Sequence, residues 1–143
     1  MCKCREIKIN MEDLTYNTKI AVLKILNDII NADNIVKDVE VDYMNEIARS
    51  FELADNYMNE VNDLVTLQAL SIISSLSVDL KEKIAQLMGN MIIMDKDINY
   101  NEVKLYNEVC DYCNIDKDFN VKDYTDFSFS GPFVNPEDLI NKI

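Results

Sequence analysis

A chain of 143 residues, 48% of them hydrophobic, can build one real core, and only two Gly and two Pro argue for long helices with few turns. A net charge of −12 opposes phosphate contacts and excludes nucleic acid as the natural partner. The complete absence of His removes the usual general base and the commonest nitrogen ligand for metals, so no ordinary nucleophile–base constellation can form.

Residues 1–9, MCKCREIKI, are polar and lack the apolar stretch of a secretory signal, so they read as a flexible N-terminal segment of a cytoplasmic protein. No run of roughly 18 apolar residues occurs, so no membrane span is expected. Residues 10–116 carry helical periodicity throughout. Val22, Leu23, Leu26, Ile29 and Ile30 share one face of a first helix. A polar loop follows, and Tyr43, Met44, Ile47 and Phe51 mark the next helix. The stretch LVTLQALSIISSL, residues 64–76, is apolar on most sides and is expected to be a central, largely buried helix. Ser77 or Asp79 can cap the helix after it, whose stripe is Leu80, Ile84, Leu87, Met88 and Met91. Across a second polar loop, Tyr106, Val109, Cys110 and Cys113 make the last stripe.

The two loops are copies. Shifting the chain by 62 residues lays Asp33 on Asp95, Glu40 on Glu102, Val41 on Val103, Asn45 on Asn107 and Glu46 on Glu108. Apolar positions follow the same shift, Val36 onto Ile98 and Ile47 onto Val109. The architecture read from this is all-α: two related helix–loop–helix units around a central helix, about seven helices in all.

In MDKDINYNE, residues 94–102, the oxygens of Asp95, Asp97 and Asn99 alternate as the first ligands of a calcium loop do. A standard EF-hand then fails at three places: Tyr100 stands where Gly is needed, Glu102 where an apolar residue is needed, and Tyr106 where the bidentate Glu is needed. What remains is a candidate hard-cation site of Asp95, Asp97, Asn99 and Glu102, with Asp33 and Glu40 as the first-loop counterparts. Calcium or magnesium suits such oxygens, and the second loop is the richer of the two. Each acid also has a structural reading. Asn99 and Glu102 form a capping box, Asp38 caps the first-loop helix, and Asp33 and Asp95 fold the loops as Asx turns. Zinc through Cys2, Cys4, Cys110 and Cys113 is the rival metal reading, against buried thiols and a frayed terminus.

Residues 117–143 change character. Phe119, Phe127, Phe129 and Phe133 fall there with both prolines, and the segment is expected to run extended over the helical body with its aromatic rings docked. Asn135, Pro136 and Glu137 begin a last helical turn.

The duplicated loop resembles that of the TerB-like family, named for a tellurite-resistance protein, whose loops follow approximately Asp-Gly-x-(Ile/Val)-x-x-x-Glu. Asp33-Asn34-Ile35-Val36-Lys37-Asp38-Val39-Glu40 and Asp95-Lys96-Asp97-Ile98-Asn99-Tyr100-Asn101-Glu102 match it, except that Asn34 and Lys96 replace the glycine. The resemblance implies a helical, cytoplasmic, non-enzymatic module tied to tellurite or envelope-stress resistance, with the acidic loops as a cation site. The other reading is an acidic protein-interaction module without metal, engaging an unidentified protein partner through its negative surface or Phe-rich tail. The sequence names neither that partner nor an oligomeric state.

Overall fold

The computed structural model describes residues 14–117 and 119–130. The expected N-terminal segment 1–9, Cys2, Cys4, Phe133 and the final helical turn after Asn135 lie outside the described residues. Among the described residues six α-helices follow in order: α1 Tyr16–Ile30, α2 Asp38–Ser50, α3 Met58–Asp63, α4 Thr66–Ser74, α5 Val78–Ile93 and α6 Tyr100–Cys113. Two three-residue strands, β1 Asp97–Asn99 and β2 Ser128–Ser130, form a small parallel sheet, and a 3-10 turn spans Val121–Tyr124. The fold is all-α apart from that ribbon.

Local chemistry sets the helix starts. Thr15 accepts the amide of Thr18 at the head of α1, and Ser77 accepts that of Leu80 at the head of α5. Each cap satisfies an amide that the helix itself leaves free. At the far end of α6, Asn114 takes a left-handed conformation (φ 57°), and the Ile115 amide returns to the Cys110 carbonyl at 2.8 Å. That turn ends the helix and sends the chain back across the body.

The central element is α1. It packs against all five other helices and buries nine of its fifteen residues, among them Val22, Leu23, Ile25, Leu26 and Ile29. The expectation of a central buried helix at 64–76 is corrected here. In α4 only Ala69 and Ile73 are buried, and Leu67 is 59% exposed. Apolar composition on most sides promised burial, but α4 leans on α1 and α6 with one edge and turns the rest outward.

The tail docks through its rings. Phe119 is buried, and its amide donates to the Tyr106 hydroxyl at 3.2 Å. Its ring meets Tyr106 edge-on with centroids 5.7 Å apart and stacks on Tyr124 at 5.4 Å. Gly89 lies against this ring: a Cβ there would be in ordinary contact, 3.6 Å from Phe119 Cδ1. Beyond the 3-10 turn, β2 lies along β1 with Phe129 opposite Ile98.

Candidate functional site

The two polar loops face each other. In each, an aspartate folds the bend: Asp33 Oδ1 accepts the amide of Ile35 at 2.9 Å, and Asp95 Oδ1 accepts that of Asp97 at 3.1 Å. The residue after each aspartate is left-handed, Asn34 at φ 64° and Lys96 at φ 62°. The bends are equivalent in shape, as the 62-residue shift requires. Asn34 suits that backbone region better than Lys96 does.

Beyond the bends the loops diverge. In the second, Asn99 caps α6 by accepting the amides of Asn101 and Glu102, at 2.8 and 3.3 Å. Its side-chain amide donates to Ser130 Oγ at 3.2 Å. Asp97 accepts from Ser128 Oγ at 2.7 Å and from Ser130 Oγ at 2.5 Å. Ile98, in β1 beside β2, is 0% exposed, whereas its counterpart Val36 is 54% exposed. In the first loop Lys37 occupies the cap position of α2 and makes no side-chain cap bond. Asp38, expected to cap there, is the first helical residue, one position too late for that role. The Lys37 ammonium instead crosses to the second loop, 2.6 Å from Asp95 Oδ2 and 3.6 Å from Asp97 Oδ2.

Partial burial alone would lower the Lys37 ammonium, but its bond to Asp95 and the charges of Asp95, Glu40 and Asp97 more than reverse this and hold it protonated. Burial likewise pushes Asp97 upward, and the hydroxyls of Ser130 and Ser128 together with Lys37 bring it net below the usual carboxylate range.

Glu40 and Glu102 are the unusual pair. Both stand in the first turn of their helices and both are 0% exposed. Their carboxyls face one another, one from each half of the duplication. Apart from each other, their four oxygens meet no hydrogen-bonding group among the described residues. The expected capping box is therefore incomplete: Asn99 caps, but the Glu102 carboxyl does not reach back to the Asn99 amide. It points inward. Burial raises both carboxyls, and the neighbouring charge of Glu40 drives Glu102 further, up to about 10. A buried polar group without a partner is costly and calls for an explanation.

The six acids and amides read from the sequence thus separate. Asp33, Asp95, Asp97 and Asn99 are engaged in bends, a cap and contacts to Lys37 or β2. Of the six, Glu40 and Glu102 alone meet nothing in the interior but each other. The candidate centre is shared between the loops rather than confined to the second. Among the described residues no three His, Cys, Asp or Glu side chains converge in a metal-ligand arrangement. The donor chemistry of the glutamate pair nevertheless suits a hard cation, which accepts one or two carboxylates and retains water elsewhere.

Cys110 and Cys113 lie buried on the inner side of α6. Burial pushes the Cys110 thiol to about 11, and the Cys113 thiol donates to the Leu70 carbonyl at 3.5 Å. Both sit as small packing groups; Cys2 and Cys4, the other half of the zinc reading, lie outside the described residues.

Sequence reasoning missed Lys37, Ser128 and Ser130. A lysine where a capping residue belongs hints at a different task for Lys37. The Ser-Phe-Ser alternation was the available signal for β2.

No family model matches the chain, and no curated protein matches its sequence. The fold is similar to the crystal structure of a protein of unknown function from Porphyromonas gingivalis W83, with a TM-score of 0.64 and 22% identity over 77% of this chain and 86% of that one. That likeness concerns the fold.

Proposed function

We propose that the chain is a non-enzymatic, cytoplasmic TerB-like binding module, linked to tellurite or envelope-stress resistance, whose functional centre is the Glu40–Glu102 pair. A hard divalent cation, calcium or magnesium, would be held by these two carboxylates, with water completing its shell. The bound ion would supply the positive charge that lets both buried groups ionise. The observation that carries the reading is that four buried carboxyl oxygens, at equivalent positions of a duplication, meet no hydrogen-bonding group among the described residues except each other. Evolution has an easy apolar substitute for a buried acid that does nothing, since replacing buried charges with well-packed hydrophobes is often neutral or stabilising.

Titration calorimetry and thermal melts with calcium, magnesium and zinc test the reading on wild type, Glu40→Gln and Glu102→Gln. Heat and a raised Tm with calcium or magnesium in wild type alone are expected. No response to any ion removes the cation centre.

A second reading rests on a different place. A groove of about 570 Å³ between α1, α3 and α4 has an apolar floor of Ile20, Leu64 and Ile72, and its charged lining residues, Glu60 and Asp63, are both acidic. It suits a basic partner segment with an apolar anchor. Weak binding of a designed Leu/Lys helical peptide, lost on Ile72→Asp, would favour this interaction module. No helix among the described residues is long and apolar enough to cross a membrane.

A further inference from the structure

The proposed cation centre already has a cation beside it, and it belongs to the chain. Lys37 extends from the first loop to the carboxylates of the second, 2.6 Å from Asp95 and 3.6 Å from Asp97. Its side chain is only a quarter exposed, so solvent screens this contact incompletely. The same charge acts on both Glu40 and Glu102. At the matching place in the other half stands Asn99, which spends its side chain on capping its own helix. Lys37 leaves α2 without a side-chain cap and reaches across instead.

We propose that Lys37 is a tethered competitor. Its ammonium holds the second-loop carboxylates in the ion-free protein, and a divalent ion loading at Glu40 and Glu102 binds against that fixed charge. Lys37 thereby sets the ion concentration at which the module responds. The inference rests on the cation reading above.

The rival role is a plain clasp between the loops, and the two roles predict opposite signs. Cutting a clasp loosens the loops and weakens ion binding. Removing a competitor strengthens it. The full chain is titrated with manganese chloride by calorimetry, and the ion is located by paramagnetic broadening of backbone amide signals. Lys37→Met is compared with Lys96→Met, which deletes the same charge from an exposed residue of the second loop.

Manganese should bind Lys37→Met on the order of 10-fold more tightly than wild type, with broadening centred on residues 33–40 and 95–102. Lys96→Met should gain less than about 3-fold, the scale of an exposed charge. Adding Glu102→Gln to Lys37→Met should abolish the binding. If wild type binds manganese at the loops but Lys37→Met binds no more tightly than Lys96→Met, the competitor role is overturned and the cation centre survives. If neither wild type nor Lys37→Met shows loop broadening, both are overturned. Should Lys37→Met lose its helical circular dichroism, Lys37→Gln gives the same comparison with a gentler change.

Discussion

Asn34 and Lys96 hold nearly the same left-handed backbone, φ 64° and 62°, at positions 62 residues apart. Only glycine adopts that conformation without cost. Asn34→Gly and Lys96→Gly should each stabilise the fold in urea denaturation. The gain at Lys96 should be the larger, about 0.5–1 kcal/mol, because asparagine adopts the region at lower cost than lysine. A loss at Lys96 would contradict the assigned bend.

The equivalent apolar residues of the two loops should behave unequally. Ile98 lies in β1 beside β2 and is fully buried, so Ile98→Ala should cost about 2–5 kcal/mol. Val36 faces solvent, and Val36→Ala should cost no more than about 0.5 kcal/mol. Paired melts of the two variants decide it. Equal costs would mean that β2 does not shield the second loop.

The glutamate pair should shape stability against pH in the ion-free protein. An unfolded Glu titrates near 4.3, whereas folded Glu102 is raised to about 10. Between those values the folded chain keeps a proton that the unfolded chain has released. The contribution of Glu102 is therefore intact below the unfolded value and drains away as pH rises toward the folded one. Glu40 acts in the same direction. Glu102→Gln should match wild type near pH 4 and be more stable by a few kcal/mol, at most about 5, at pH 8, measured by urea denaturation in a chelating buffer. Identical pH profiles would show that Glu102 titrates ordinarily.

Phe119 anchors the tail, so Phe119→Ala should cost about 3–5 kcal/mol. The loss should also speed hydrogen exchange at Ser128–Ser130, because the chain between would no longer be seated. Tyr106→Phe removes only the hydroxyl that the Phe119 amide uses, and should cost nearer 1 kcal/mol. Exchange at β2 that ignores Phe119→Ala would show that the strand is held independently.

Periodicity and the 62-residue repeat were enough to read the helical class, both bends and the two glutamates as matching positions. They could not show that Glu40 and Glu102 face each other, because a repeat compares residues along the chain and says nothing of how the halves pack. The same limit affects α4. Val65 and Leu67 look like core residues by type, yet whether an apolar side is covered depends on what packs against it. The β1–β2 pairing was hidden for a third reason. Asp97-Ile98-Asn99 is polar at both ends, and its partner lies 31 residues away, beyond the reach of any local pattern.

The seating of Phe119 upstream of β2 has a consequence for proteolysis. A nick between Tyr124 and Ser128 would leave the aromatic anchor in place while freeing the strand it delivers. Asp97 would surrender both serine hydroxyls at once and draw harder on the one ammonium it shares with Asp95. Clipping the ribbon would therefore retune the electrostatics of the bends without unfolding a single helix.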